Sequence, residues 1–235
     1  MSAPSASEQR VRVWDLPTRL FHWTLLVAVV TLVVTGNIGG NAIDIHARVG
    51  MGVLALLAFR WIWGLIGGRW SRFWVFVPSP ARLIRYLRGR ATAQDHPQAG
   101  HNPMGAFSVL AMLGILSAQA LTGLVIDDEI AFSGPLVSLV SGGLVSASSS
   151  WHRGWGADLL LLLIGLHVLA IVFYRLVKRR RLVKAMVTGD EDLPTGTPAA
   201  RDDALTRLLA AVVLAACGAG AWWIWQWGQS QSAGF

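Results

Sequence analysis

One apolar run, residues 157–177, constrains this chain most, and a cluster of basic residues follows it directly. About 20 apolar residues in helical conformation cross the hydrocarbon core of a bilayer, so the run predicts a transmembrane helix. His152 precedes the run and His167 lies inside it. On one continuous helix their imidazoles would lie roughly 22 Å apart along the axis and about 60° apart in azimuth. Two histidines on nearly the same face of one span suggest two metal centres stacked across the membrane.

The composition agrees with a protein that spans a membrane several times. Of the 235 residues, 54% are hydrophobic and only 14% are charged, whereas soluble domains have about 25% charged residues. The net charge of +7 does not indicate nucleic-acid binding, because the basic residues flank apolar runs and form no separate basic domain. The single cysteine, Cys217, excludes an internal disulfide and a CxxCH motif for covalent haem attachment.

Hydropathy divides the chain into five predicted spans and the polar segments around them. The predicted fold is an all-α membrane protein, a four-helix transmembrane bundle with a fifth C-terminal transmembrane helix. Residues 127–150 are predicted to be a loop between the third and fourth spans. The predicted organisation is a flexible cytoplasmic tail (1–13), the bundle domain (14–184), a polar cytoplasmic linker (185–204), and the fifth transmembrane helix with a periplasmic tail (205–235).

Lysine and arginine residues concentrate in alternate polar segments. They precede the first span, lie between the second and third spans, and lie between the fourth and fifth spans. The other two connections contain only Arg48 and Arg153. The positive-inside rule therefore predicts a cytoplasmic N-terminus and, with five spans, a C-terminus on the opposite side.

Four histidines sort into two layers on this topology. His46 and His152 begin helices on the outer side, whereas His22 and His167 lie toward the inner side. Two neutral imidazoles from different helices at one depth are typical of bis-histidine ligation of a b-type haem. A zinc or di-iron site would need Cys, Asp or Glu ligands nearby. The alternative for each single histidine is an interhelical hydrogen bond, but four in matched layers favour two non-covalent haem b groups.

Three arginines are candidate partners for the haem propionates. Arg48 lies two residues after His46 and Arg153 one residue after His152, on the side where the positive-inside bias disfavours basic residues. Arg60 lies near the inner end of the second span and is a similar candidate for the inner haem. The alternative for all three is a side chain that extends its charged group to the membrane surface.

Several long motifs resemble the bacterial membrane cytochrome b561 family, which is akin to the cytochrome b subunits of nickel-iron hydrogenases. The resemblance covers about residues 10–190 and implies that His22, His46, His152 and His167 ligate two b haems. It also implies electron transfer in a respiratory chain of the bacterial inner membrane. The implied partners are membrane quinone and a c-type cytochrome or another redox protein. The motifs are VRVWDLPTRLFHW, IHARVGMG, FRWIWGLIGGRWSRFWVFVPSP, HNPMG, QALTGL, DDEIAFSGPL and HRGWGADLLLLLIGLHVLA.

Three hypotheses about function follow from these observations. The first is a transmembrane electron carrier that links a quinone pool with a periplasmic or membrane redox partner. The second is a self-sufficient enzyme that oxidises superoxide and reduces quinone, with Arg48 and Arg153 guiding the anion. The third is a haem-free assembly subunit. The segment 119–122 and the loop 127–150 are candidates for a quinone site.

Overall fold

The structure is a computed structural model that describes residues 7–90, 99–100, 103–128 and 132–232. The chain divides into two compact units, and the boundaries between them fall within the long helices. Unit 1 consists of residues 1–20, 61–110 and 167–210. Unit 2 consists of residues 21–60, 111–166 and 211–235. Residues 1–6 of the predicted tail, residues 233–235 of the predicted C-terminal tail, and residues 129–131 of the predicted loop lie outside the described residues.

Five helical segments among the described residues are long and apolar enough to cross a membrane. The predictions of an all-helical membrane fold and of five spans are confirmed. The spans are α1 (Leu16–Ile38), α2 (Ala42–Ile66), α5 (Pro103–Gly123), α6 with α7 (Gly142–Arg153 and Trp155–Leu176), and α9 (Ala204–Ser232). Shorter helices are α3 (Phe73–Phe76), α4 (Pro80–Leu87) and α8 (Leu182–Thr188).

The first two spans form a helical hairpin with a tight connection. The amide of Thr18 donates to the Asp15 carboxylate (2.8 Å), which caps the start of α1. Pro17 lies in the first turn, where no intrahelical N–H bond is needed. At the other end, Gly39 and Gly40 have φ values of 66° and 52°. Glycine adopts this left-handed conformation without strain, so the chain reverses between α1 and α2 in very few residues.

The fourth span differs from the prediction in one respect. The Ser/Gly-rich stretch before His152 was expected to be a loop, but Gly142–Arg153 forms helix α6. Gly154 has φ −112° and ψ −116°, which is not helical, and α7 begins directly after it. The predicted axial separation of His152 and His167 holds only for a continuous helix, so it does not apply to a span that is broken at Gly154.

Part of the predicted tail and part of the predicted polar linker form two short strands in unit 1. Strand β1 (Glu8–Arg12) pairs antiparallel with β2 (Asp190–Pro194). The pairing is electrostatically favourable because β1 is basic and β2 is acidic. Arg12 lies 2.8 Å from Asp190, and Arg10 lies 3.3 Å from the same carboxylate. Both segments are too polar to stand out as strands in a hydropathy pattern.

A small core lies beside this sheet. Val13 and Trp14 follow β1 and pack with Trp70, Ala99, Ala185 and Ala200, all of them buried. The amides of Val13 and Trp14 both donate to the carbonyl of Gly189 (2.8 and 3.0 Å). Gly189 itself has φ 87°. The segment after the fourth span is therefore a packed part of unit 1.

Asp15 is fully buried in unit 1. Besides capping α1, its carboxylate accepts hydrogen bonds from the Ser71 hydroxyl (2.8 Å) and the Gly68 amide (3.1 Å). The Trp63 indole N–H also points at it, at 3.3 Å. The motifs VRVWDLPTRLFHW and FRWIWGLIGGRWSRFWVFVPSP are thus joined through one carboxylate.

The start of α9 is held by a second carboxylate. Asp202 accepts hydrogen bonds from Arg207 (3.1 Å), Arg12 (3.3 Å) and the Leu16 amide (3.1 Å). Burial by itself would raise the pKa of Asp202. The hydrogen bonds and the charges of Arg207 and Arg12 together lower the pKa by a larger amount, so it lies below the usual range. The fifth span is therefore tied to the strand and helix that begin the chain.

Candidate functional site

His46 is oriented by the end of the preceding helix. It lies in the first turns of α2, and its Nδ1 is 3.0 Å from the carbonyl oxygen of Leu32 and 3.3 Å from the Thr35 hydroxyl. A carbonyl accepts hydrogen bonds only, so Nδ1 carries the proton and donates it. The unprotonated Nε2 is then the nitrogen left to bind a metal ion.

His152 is held in the same way near the end of α6. Its Nδ1 lies 2.9 Å from the carbonyl oxygen of Gln119 and 3.4 Å from the Thr122 hydroxyl. The Gln119 side-chain amide donates to the His152 carbonyl at 3.1 Å, which fixes the backbone as well. The tautomer is again the one with a free Nε2 lone pair. Gln119 and Thr122 therefore orient the His152 ring. The quinone contact predicted for residues 119–122 stays a prediction.

The two imidazole rings are separated by a distance suited to one iron ion between them. Their ring centroids are 6.0 Å apart and the rings are nearly perpendicular, at 78°. Two metal–nitrogen bonds of about 2.0 Å, with about 1.1 Å from each nitrogen to its ring centre, require a separation near 6 Å. No group of three or more His, Cys, Asp or Glu residues that would hold a metal ion occurs among the described residues. This donor set fits an iron whose remaining ligands come from a macrocycle.

Glycines make room for both imidazoles. A Cβ on Gly36 would lie 3.2 Å from Cε1 of His46, and a Cβ on Gly123 would lie 3.1 Å from Cε1 of His152. These separations are tighter than ordinary van der Waals contact, so a larger residue would push either ring. The two glycines occupy equivalent positions relative to their histidines. Gly36 was not predicted as a site residue, because a lone glycine near the end of a helix usually belongs to the turn that follows.

A cavity of about 490 Å³ adjoins the pair and belongs entirely to unit 2. Its volume lies in the range of small-molecule and cofactor sites. Apolar residues of α1, α2, α5 and α7 form much of its wall, and Asp127, Asp128 and Asp158 add carboxylates. Arg153 also lies on the wall.

The fifth span contributes directly to this cavity. Trp225 of α9 lies on its wall, and so does Pro135 of the segment after α5. A Cβ on Gly228 would overlap Pro135, so α9 packs closely against this segment. The C-terminal helix is therefore part of the enclosure around the histidine pair in unit 2.

The remaining predicted site residues are two arginines, Arg48 and Arg60, and the inner histidines, His22 and His167. Arg48 forms an i,i+4 salt bridge with Asp44 (3.0 Å) and is not among the residues that line the cavity. Arg60 is buried within unit 2. His22 and His167 are each half-buried and lie in different units, so their pairing stays a prediction. His22 packs edge-on against Trp23, with ring centroids 5.1 Å apart.

A family model and several known proteins that resemble this chain all describe b-type cytochromes. A family model described as prokaryotic cytochrome b561 matches residues 13–189. The probable Ni/Fe-hydrogenase B-type cytochrome subunit of Cupriavidus necator is 26% identical over 218 residues, which cover 80% of this chain and 89% of that protein. The probable Ni/Fe-hydrogenase 1 B-type cytochrome subunit of Escherichia coli K12 is 25% identical over 200 residues, covering 70% of this chain and 81% of that protein. A similar subunit from Rhodobacter capsulatus is 24% identical over 210 residues, which cover 76% and 80% of the two chains.

Proposed function

The chain belongs to the prokaryotic cytochrome b561 family, and from this premise we propose that it carries electrons across a membrane through two b-type haems. The observation that supports this function best is the geometry of His46 and His152. Both Nδ1 atoms are committed to backbone carbonyls, both Nε2 atoms remain available, and the rings are 6.0 Å apart. When bound, haem would supply one-electron redox chemistry, and His46 and His152 are the residues that would hold its iron.

The residues of unit 2 would serve the first haem in separate ways. His46 and His152 hold the iron, while the carbonyls of Leu32 and Gln119 keep both rings in one tautomer and orientation. The apolar wall of the cavity excludes water, which limits rearrangement of solvent during electron transfer. Arg153, on the cavity wall, is the better placed of the two outer arginines for a propionate, because Arg48 is paired with Asp44.

We assign the second haem to His22 and His167, with Arg60 as its propionate partner. The support is the topology predicted from the sequence. Both histidines lie in helices that are long and apolar enough to cross a membrane, toward the same side, and both are half-buried. Two haems in succession would shorten each electron-transfer step across the hydrocarbon core of about 30 Å.

The positive-inside rule supports an orientation with the N-terminus in the cytoplasm and the C-terminus in the periplasm, and we infer the bacterial inner membrane from the family. The pair His46 and His152 would then lie near the periplasmic face. Its partner there would be a c-type cytochrome or another redox protein, and quinone would exchange electrons within the membrane. The names of the relatives add a nickel-iron hydrogenase as a candidate electron donor.

The hypothesis of a self-sufficient superoxide-oxidising enzyme receives less support. It needs a positive entrance for an anionic substrate, but three carboxylates line the cavity beside Arg153. Arg48 has its charge balanced by Asp44. The hypothesis of a haem-free subunit is disfavoured, because the hydrogen bonds of His46 and His152 leave both Nε2 atoms available to bind a metal ion.

Pyridine haemochrome analysis and redox titration of single variants test the proposal. The wild-type chain should contain two non-covalent haems. His46→Ala and His152→Ala should remove the same haem signal, whereas His22→Ala and His167→Ala should remove the other. His96→Ala, which the sequence places outside the predicted spans, is the matched control and should keep both. A haem content of one or none, or loss of one common signal in His22→Ala and His46→Ala, would contradict the two-layer arrangement.

A further inference from the structure

A basic groove in unit 1 adjoins the C-terminal end of the fourth span. The groove has a volume of about 650 Å³ and lies between the end of α7 and the start of α8. Four cationic side chains line it, together with apolar residues of both helices. The cations are Arg175, Arg180, Arg181 and Lys184.

The backbone explains why these charges gather around one space. After α7, Arg179 adopts a left-handed conformation with φ 55°, and the amide of Arg180 donates back to the carbonyl of Tyr174 (2.9 Å). Side chains other than glycine, asparagine and aspartate rarely adopt such a φ. The sharp turn returns the basic segment toward the helix end, so charges from α7, the turn and α8 share one groove.

The positive charge of the groove is balanced only in part within the described part of the chain. No described carboxylate lies within salt-bridge distance of Arg175, Arg181 or Lys184. Arg180 has one acidic neighbour, Glu191, with which it interacts electrostatically. A concave group of unbalanced cations attracts an anion, and arginine and lysine are the usual phosphate-binding side chains.

The apolar walls restrict the kind of anion. Val172 and Leu176 of α7 and Leu182 of α8 line the groove beside the cations. Leu176 and Val177 are among the most exposed large apolar residues of the chain, at 71% and 63%. The apolar run of the span ends here and the basic residues begin, which is the level of lipid headgroups. A ligand with a phosphate and acyl chains satisfies both parts of the groove.

We propose that this groove binds the phosphate headgroup of an anionic phospholipid, with an acyl chain along the end of α7. The site differs from the histidine cavity, which belongs to unit 2, and does not depend on the proposed haem content. The four cations contact the phosphate, and Leu176 contacts the acyl chain.

Native mass spectrometry of the full-length, haem-loaded protein in detergent tests this site. The protein is titrated with phosphatidylglycerol, with phosphatidylcholine, and with inorganic phosphate as a competitor. The double variant Arg181→Gln/Lys184→Gln removes two charges from the groove. A cation near a lipid surface contributes about 1 kcal/mol, so the double variant should bind phosphatidylglycerol roughly 30-fold more weakly than the wild-type protein does.

Two controls distinguish the groove from the general charge of the segment. Lys178→Gln/Arg179→Gln removes two charges of the same segment that do not line the groove, and should leave the affinity within about twofold. Arg181→Lys/Lys184→Arg keeps both charges and should retain binding. Equal losses in both neutralised variants, equal affinity for phosphatidylcholine, or displacement of the lipid by inorganic phosphate would overturn the proposal.

Discussion

Asp15→Ala tests the packing of unit 1 through a single carboxylate. In the folded chain this carboxylate accepts hydrogen bonds from four groups that are all buried with it. The Ser71 hydroxyl keeps a partner after the substitution, because it also shares a hydrogen bond of 2.7 Å with the Thr18 hydroxyl. The Thr18 amide, the Gly68 amide and the Trp63 indole N–H lose their acceptor.

The expected cost follows from these three donors. A buried donor left without an acceptor costs about 1–3 kcal/mol, so even the low end gives about 3 kcal/mol in the free energy of unfolding. Asp15→Asn keeps one oxygen but places an amide N–H₂ beside the Gly68 amide. It should lose about one hydrogen bond and cost about 1–3 kcal/mol. The order of stability is therefore wild type, then Asp15→Asn, then Asp15→Ala.

Thermal unfolding of the purified protein, followed by tryptophan fluorescence, measures this order. Trp14, Trp63 and Trp70 lie in the affected unit and report its loss. At about 2–4 °C per kcal/mol for a chain of this size, Asp15→Ala should lower Tm by about 6–12 °C. Asp192→Ala removes an exposed carboxylate from β2 in the same unit and should change the unfolding free energy by less than about 0.5 kcal/mol. Equal shifts in Tm for Asp15→Ala and Asp192→Ala would refute the central role of the Asp15 carboxylate.

Three further predictions concern the histidine pair, acid stability and topology. Gly123→Val should push the His152 ring and selectively weaken retention of the haem that we propose at His46 and His152, measured by haem content and redox titration. Gly218→Val in α9, where a Cβ meets nothing within 4 Å, should have no such effect, and equal losses would argue against the close contact. Because the pKa of Asp202 is lowered in the folded chain, its stabilising effect should be fully present above about pH 4 and disappear as pH falls through the lowered pKa. Asp202→Asn should therefore reduce the loss of Tm below pH 4, and an unchanged acid profile would count against this linkage. A C-terminal alkaline phosphatase fusion should be active and a C-terminal green fluorescent protein fusion dark, whereas the reverse pattern would place both termini on one side.

Hydropathy was sufficient to predict the spans and the proximity of His46 and His152. His46 and His152 are adjacent because each lies at one end of a long apolar segment, which the sequence displays directly. The strand pair was not predictable in this way, since EQRVR and DEDLP are short, charged and far apart in the chain. Helix α6 was missed because serine and glycine have weak helix propensity, and its formation depends on tertiary contacts. The other donors to Asp15 come from a separate motif, so its role beyond the helix cap was not predictable from its own segment.

The pairing of β1 with β2 also has a consequence for biosynthesis. Ser7 and Thr195 share a hydrogen bond across a separation of 188 residues. At about 5–20 residues per second, the first strand waits roughly 10–40 s after its synthesis before its partner leaves the ribosome. During that time the first four spans enter the membrane while the core around Trp14 has no Ala185 or Ala200 to pack against. Unit 1 is therefore completed late in synthesis. If a ribosome stalls before residue 190, the basic strand β1 has no partner although the first four spans are already in the membrane.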